Sequence, residues 1–163
     1  MADFATRMLR HQTNYGIHVE AGTCRLMRAL LRRLLEIRMA KKTVLAIGIE
    51  PSFVDFSAFP GLTAELVMSY IAAQIERLRA TGFEADSCLI DLGDTAEAVV
   101  AAALGAKHYD CVVIGAGLRE PRERLHLFER IINLVHLAAP QSRICFNTTP
   151  ADTTDAVQRW IAP

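Results

Sequence analysis

YDCVVIGAGLREP, residues 109–121, joins an apolar strand-like run to a Gly-Ala-Gly turn and then to a helical stretch. Within it, DCVVIGA (110–116) is apolar on both faces, which is typical of a central strand in a parallel sheet, because helices cover both sides of such a sheet. TVLAIGI (43–49) has the same character. EADSCLI (84–90) and RICFN (143–147) begin with polar residues, which suits strands at the sheet edges.

Helical stretches follow these four runs, at about 62–80, 95–104, 121–139 and 150–161. Such alternation predicts an α/β domain with three layers, a Rossmann-like or flavodoxin-like architecture built on a four-stranded parallel sheet. With right-handed crossovers and the two most apolar strands in the centre, the simplest strand order is 2-1-3-4. Ligands of such sheets bind beyond the carboxyl ends of the strands, where the winding reverses, here between the first and third strands.

Residues typical of helix ends support these boundaries. Thr63 suits the N-cap of the first helix, and Gly82 lies just beyond its end. Asp94 and Glu97 have the spacing of a capping box for the second helix. Gly105 is expected to end that helix.

The N-terminal extension, residues 1–42, differs in pattern from the domain expected at 43–163. Residues 24–38, CRLMRALLRRLLEIR, set leucines at helical spacing opposite arginines, which predicts a basic amphipathic helix. Such a helix could lie on an acidic membrane surface, act as an Arg-rich transit peptide, or dock on the domain. A further interpretation is that translation starts at Met39 and that 1–38 is not native, because MAKKTVLAIGIEP reads like an ordinary protein start.

Composition argues against several classes of protein. Hydrophobic residues make up 52% of the 163 residues and charged residues 22%, which indicates a folded globular chain. Residues 1–38 hold seven arginines and three acidic residues, a net charge of +4, whereas residues 39–163 carry −4. A mildly acidic body without a basic stripe argues against nucleic acid as a partner. No apolar run approaches the ~18–20 residues of a membrane span.

The four cysteines, Cys24, Cys88, Cys111 and Cys145, form no C-x-x-C pair and no cluster with metal-ligand spacing. Three of them fall in predicted strands, where cysteine usually acts as a small buried apolar residue. Reduced thiols of this kind are typical of a cytoplasmic protein. The signatures of P-loop NTPases, zinc metalloproteases and α/β-hydrolases are missing, so the sequence identifies no cofactor.

Four loops are expected to meet at the carboxyl ends of the strands, and they carry the candidate ligand-binding residues. These candidates are Gly48, Glu50, Asp55, Asp91, Gly115, Gly117, Arg119, Asn147 and Thr148. Gly115 and Gly117 permit a tight turn and a close approach of the backbone to another group. A dinucleotide fingerprint would need a third glycine where Glu120 stands and usually follows the first strand, so GAGLRE fits that motif poorly.

Charged groups at this edge fit two chemistries. Arg119 and Arg122 flank a predicted helix start and suit a small anionic ligand, or they are solvated and pair with neighbouring glutamates. Glu50 and Asp91 end adjacent predicted strands, and with Asp55 they could hold Mg²⁺ or act as acid and base. The structural alternative is that Asp91 forms a turn.

The loop from Glu50 to Gly61 is longer than the ~2–6 residues that usually link a strand to a helix in such folds. It carries Phe53, Phe56 and Phe59. Apolar residues in a long loop above a binding edge resemble a lid. Alternatively, they fasten the loop to the sheet or contact a partner chain.

From Gly93 to Phe146 the sequence resembles the second half of a universal stress protein domain, through GDTAEAVVAAAL, YDCVVIGAG and a helix that ends in LAAP. Members that bind ATP usually carry a Gly-Ser phosphate contact where HLFERIIN (126–133) stands, so the resemblance implies the fold without that motif. Residues 43–161 are more closely similar to small uncharacterised bacterial proteins that share FPGLTAE, DLGDTAEAV and ICFNTTPADT. This second resemblance implies a Rossmann-like fold and a natural start at Met39, and no particular activity.

Three functions remain open at this point. The preferred one is a cytoplasmic ligand-binding or regulatory module for a nucleotide or another anion, held between the first and third strands. The second is a small enzyme that uses Glu50, Asp55 or Asp91 with a divalent metal. The third is a structural protomer that forms a homodimer through an exposed sheet edge or the Phe-bearing loop.

Overall fold

The structure, a computed structural model, describes residues 27–32, 40–57 and 59–163. The chain divides into two units, Met1–Ala40 and Lys41–Pro163. In the first unit, residues 27–32 are helical. The remainder of the helix predicted at 24–38, and the start proposed at Met39, lie outside the described residues. The second unit is the α/β domain.

The elements of the domain alternate as the sequence pattern predicts. The strands are β1 (Thr43–Ile49), β2 (Glu84–Ile90), β3 (Cys111–Ile114) and β4 (Arg143–Phe146). The helices are α1 (Ala64–Ala80), α2 (Ala96–Ala106), α3 (Ala116–Arg119), α4 (Leu125–Ala138) and α5 (Thr153–Gln158). Short 3₁₀ turns cover Pro51–Phe53, Arg122–Arg124 and Pro150–Asp152.

The sheet has four parallel strands in the order β2-β1-β3-β4. The α/β fold, the parallel pairing and the strand order are therefore all confirmed. The physical reason is local to the strands: β1 and β3 carry no charged residue on either face, so both need neighbours and helical cover.

Helices cover both faces of the sheet and create two apolar layers. On one face, α2 and α4 pack against Leu45, Ile47 and Val112. On the other face, α1 and α5 pack against Val44 and Val113. Successive residues of a strand point to opposite faces, so one apolar run supplies both layers. Among the described helices, none combines the length and the apolar character that crossing a membrane would need.

Some of the helix ends lie at the residues that the sequence predicts. The hydroxyl oxygen of Thr63 accepts a hydrogen bond from the Leu66 N–H at 3.2 Å, which confirms it as the N-cap of α1. Gly82 has φ +104°, a left-handed conformation that favours glycine after a helix end. Gly105 lies inside α2, which continues to Ala106, so the expectation that it ends the helix was wrong.

The start of α2 also differs from the prediction. Thr95, not Asp94, is the N-cap residue, and its side chain accepts no hydrogen bond from the helix. The carboxylate of Asp91 instead accepts hydrogen bonds from the N–H groups of Gly93 and Thr95, at 3.1 and 3.0 Å. Asp91 reaches these donors because the chain turns sharply after β2, which is the turn-forming role that the sequence offered as the alternative to ligand binding.

Candidate functional site

A cavity opens at the carboxyl edge of the sheet, on the face covered by α1. On that face the side chains become smaller toward the edge: β1 presents Val44, then Ala46, then Gly48. Along β3, Val113 is followed on the same face by Gly115. The opposite face of β1 carries large side chains up to the same edge, which are Leu45, Ile47 and Ile49. This decrease in side-chain size leaves a gap of about 230 Å³ between the sheet and α1.

The walls of the cavity are mainly aliphatic and aromatic. The large apolar side chains of α1 and of the loop before it are Val67, Ile71, Ile75, Val54, Phe56 and Leu62. Ala46 and Gly48 stay partly accessible although β1 is a central strand, whereas Leu45 is 1% exposed. The cavity therefore reaches down to the sheet and is open to solvent.

Asn147 fixes the end of β4 at the floor of the cavity. Its Oδ1 atom accepts a hydrogen bond from the Ala116 N–H at 2.8 Å, and its Nδ2 atom donates to the Thr153 hydroxyl at 2.9 Å. The residue is 6% exposed, so both polar ends of a buried carboxamide are satisfied by the protein. Asn147 therefore orders three segments around the cavity.

The two glycines of the GAG turn differ in their surroundings. A Cβ atom at Gly115 would lie 3.3 Å from the carbonyl oxygen of Ile47, and the Gly115 N–H donates to that same oxygen at 2.9 Å. The close approach predicted for Gly115 is thus made by β1. A Cβ atom at Gly117 would meet nothing within 4 Å. Gly117 therefore adds open space to the cavity wall.

Gln74 supplies one polar group to the cavity from α1. Its Oε1 atom accepts hydrogen bonds from the N–H and hydroxyl of Thr154, at 3.4 and 3.1 Å. A backbone N–H can only donate, so the carbonyl end of the amide must face Thr154. The amide nitrogen is left without a hydrogen-bond partner among the described residues.

The structure brings some of the predicted site residues together around this cavity. Gly48, Gly115, Gly117 and Asn147 line it. The candidates that lie in the same loops but do not line it are Glu50, Asp55, Asp91, Arg119 and Thr148. Their assignment to ligand binding stays a prediction.

Two of the three candidate carboxylates at this edge, those of Asp55 and Asp91, are engaged by their own loops. Asp55 accepts hydrogen bonds from the Ser57 N–H and hydroxyl, at 2.8 and 3.0 Å, and the backbone bond does most to lower its pKa. The Thr95 N–H is likewise the main cause of the lowered pKa of Asp91. The Glu50 N–H donates to the carbonyl of Ile90, which places Glu50 beside the end of β2. Within 27–32, 40–57 and 59–163, no group of three or more His, Cys, Asp or Glu is placed to hold a metal ion.

Arg119 holds α3 to the end of β4. Its Nη2 atom donates to Oε1 of Glu120 at 3.0 Å and to the carbonyl of Asn147 at 3.1 Å. The guanidinium carbon also lies 5.7 Å from the centre of the Phe146 ring. Thr148 is similarly engaged, because its N–H and hydroxyl donate to the Asp152 carboxylate. Thr148 and Nη2 of Arg119 therefore have protein partners already, whereas the buried Nε of Arg119 has none among the described residues.

The three phenylalanines of the Phe-bearing loop differ in their relation to the cavity. Phe56 lines the cavity, whereas Phe53 and Phe59 are 52% and 58% exposed. The loop and the GAG turn share one edge of the sheet, as the parallel topology predicts.

Sequence reasoning missed Ala46, Gln74 and Arg124 as lining residues. The decreasing size of every second residue in TVLAIGI is the signal that would have located Ala46.

A shallower groove lies between α2 and α4, lined in part by Glu97, His126, Glu129 and Arg130. Arg130 pairs with Glu97 at 3.2 Å, and Nδ1 of His126 lies 3.6 Å from Glu129. The Arg130–Glu97 pair joins two exposed side chains, which is ordinary surface chemistry.

Comparisons with protein-family models, with curated proteins and with solved structures find no match to this chain. The resemblances given above on sequence phrases therefore stay predictions.

Proposed function

We propose that the domain is a ligand-binding or regulatory module that holds a small, largely apolar molecule in the cavity between β1 and α1. The observation that carries the proposal is the apolar gap of about 230 Å³ beside Ala46 and Gly48. Protein interiors are normally close-packed, and an apolar void lowers stability. A ligand that fills this gap would restore the missing packing contacts.

The size of the cavity limits the ligand. A cavity of about 150 Å³ lined by aliphatic and aromatic side chains is enough to bind benzene. The observed volume of about 230 Å³ therefore suits one ring with a short substituent, or a short alkyl chain. A nucleotide, the ligand class favoured by the sequence, fits less well, because its phosphates need several donors and these walls are mainly apolar.

The other two functions have weaker support. A metal-assisted enzyme would need several free carboxylates. Asp55 and Asp91 are held by hydrogen bonds within their own loops, which leaves only Glu50 of the three candidates without such a bond among the described residues. A homodimer would use exposed apolar side chains, and Phe53 and Phe59 are the observation in its favour.

A cytoplasmic location forms part of this proposal. Cys88, Cys111 and Cys145 are free and buried. The Sγ atoms of Cys111 and Cys145 lie 3.5 Å apart on neighbouring strands without forming a disulfide. Free thiols in close proximity are characteristic of a reducing compartment.

Hexanol and benzyl alcohol are suitable uncharged probes of the cavity. We expect each to raise the melting temperature of the full chain, because a ligand that binds only the folded state stabilises it. Ala46→Val and Gly48→Val should abolish this shift by occupying the gap. Ala72→Val is the control, because it makes the same alanine-to-valine change on the exposed face of α1. It should leave the shift in melting temperature intact.

Calorimetric titration of the same alcohols gives the dissociation constants directly. No binding of either alcohol to the wild-type chain would contradict the proposal. Binding that survives unchanged in both filled variants would place the alcohols elsewhere and would contradict it as well.

A further inference from the structure

The cavity lining contains one charged residue among the described parts of the chain, Arg124. One guanidinium nitrogen, Nη1, donates a hydrogen bond to the carbonyl oxygen of Gly117, which also lines the cavity. This bond anchors the positive charge at the wall where the GAG turn leaves open space. A guanidinium has five N–H donors, so most of them remain for another partner.

Among the described residues, Arg124 lacks the carboxylate partner that two nearby arginines, Arg119 and Arg130, have. Arg119 lies 3.0 Å from the carboxylate of Glu120, and Arg130 lies 3.2 Å from that of Glu97. No carboxylate of residues 40–57 or 59–163 lies within salt-bridge distance of Arg124. A positive charge without a counter-ion beside an apolar gap would be stabilised by an anion.

We propose that the ligand is a small monocarboxylic acid, whose apolar body fills the cavity and whose carboxylate pairs with Arg124. This inference rests on the proposed function, because it concerns the same cavity. It moves the anion site predicted at Arg119 to Arg124, since Arg124 lines the cavity and Arg119 does not.

A carboxylate fits this wall better than a phosphate. One guanidinium offers a planar fork that matches the two oxygens of one carboxylate. A phosphate has more oxygens and more charge to satisfy, and the cavity walls are otherwise mainly apolar. The domain from residue 39 onward also carries a net charge of −4, so attraction for an anion must come from this local group.

Two matched pairs of probes test the inference: hexanoate against hexanol, and benzoate against benzyl alcohol. Calorimetric titration of the full chain near neutral pH should show each acid binding about tenfold more tightly than its alcohol, the gain expected for one charge-assisted pair. Arg124→Gln should remove this difference and leave the affinity for the alcohols unchanged. Retained alcohol binding also shows that the variant is folded.

Arg122→Gln is the matched control, because it removes a charge from the same 3₁₀ turn at a residue that does not line the cavity. It should keep the preference for acids. Arg124→Lys should keep part of the preference, because the charge remains and the planar fork is lost.

The outcomes separate the two proposals. If acids and alcohols bind equally, or if Arg124→Gln keeps the preference for acids, the carboxylate inference is wrong and the apolar site stands. Loss of the preference in Arg122→Gln to the same degree would also contradict the inference, because a long-range charge effect would then explain it. If neither acids nor alcohols bind, both proposals fail.

Discussion

Asp110 shows at the scale of one residue how a single carboxylate joins the starts of two strands. Its Oδ2 atom accepts hydrogen bonds from the Thr43 N–H and hydroxyl at 2.8 and 3.0 Å, and its Oδ1 atom pairs with Lys42 at 2.9 Å. Burial raises the pKa of Asp110, but the bonds from Thr43 and Lys42 together outweigh it and leave the pKa below its usual value. The ionised form therefore stabilises the pairing of β1 with β3.

Asp110→Asn should lower the free energy of unfolding by about 1–3 kcal/mol near neutral pH, the usual worth of hydrogen bonds to a charged group. The pKa of Asp110 is lower in the folded than in the unfolded chain, where it is about 3.9. Its contribution is therefore complete above that unfolded value and disappears as the pH falls through the folded value. Urea unfolding should show the difference between variant and wild type shrinking below about pH 4.

Asp94→Asn is the control for that measurement, because Asp94 is exposed and its side chain accepts no hydrogen bond from the described residues. It should change stability little at either pH. A loss in Asp110→Asn that is equally large in acid would contradict the assigned role.

At the scale of the elements, α1 matters most for the cavity. Its first two turns carry Val67 and Ile71, which form part of the cavity wall. The helix begins at Ala64 because Thr63 has extended backbone angles and its side chain caps the first turn. The long loop before α1 adds Phe56 to the same wall. Cavity shape therefore depends on how firmly this helix start is held.

Thr63→Ala should lower the free energy of unfolding by about 0.5–2 kcal/mol, because the Leu66 N–H loses its side-chain acceptor. Fraying of the first turn should also weaken hexanol binding, since Val67 lies in that part of α1. Urea unfolding and calorimetric titration measure the two effects. Thr63→Ser keeps the hydroxyl and should behave like wild type, and an equal loss in both variants would contradict the capping role.

At the scale of the whole molecule, the sheet order decides which part of the domain is most protected. β3 is buried along its whole length between β1 and β4, whereas β2 is an edge strand with exposed Glu84 and Ser87. An edge strand has N–H groups without a partner strand on its outer side. The centre of the sheet can therefore lose its protection only when most of the domain unfolds.

Native-state hydrogen exchange should show the slowest amides in the centre of the sheet, at Val112 and Val113 in β3 and at Leu45 and Ile47 in β1. Their opening free energies should equal the global free energy of unfolding from urea denaturation. Amides of β2, residues 84–90, should exchange faster on average. The reverse order would contradict a central position for β3.

The sequence determined the fold of this domain because the relevant patterns are local. The apolar runs at 43–49 and 110–116 require cover on both faces, and the polar starts at 84–90 and 143–147 suit edges. Right-handed crossovers then leave one simple order, and the structure has it. The same topology correctly brought the loops after β1 and β3 to one edge.

Only the tertiary structure decided which residues form the cavity. Gly48, Gly115 and Asn147 come from three different strand ends, and the size of the gap depends on how far α1 stands from the sheet. The sequence offered the pairing of Arg119 with a neighbouring glutamate as one alternative, and the structure confirms it for Glu120 at 3.0 Å. It could not show that Arg119 would also bind the end of β4, or that Arg124 would have no carboxylate partner among the described residues. Local patterns fix secondary structure and strand order, whereas a cavity and its charge arise from distances between segments remote in the chain.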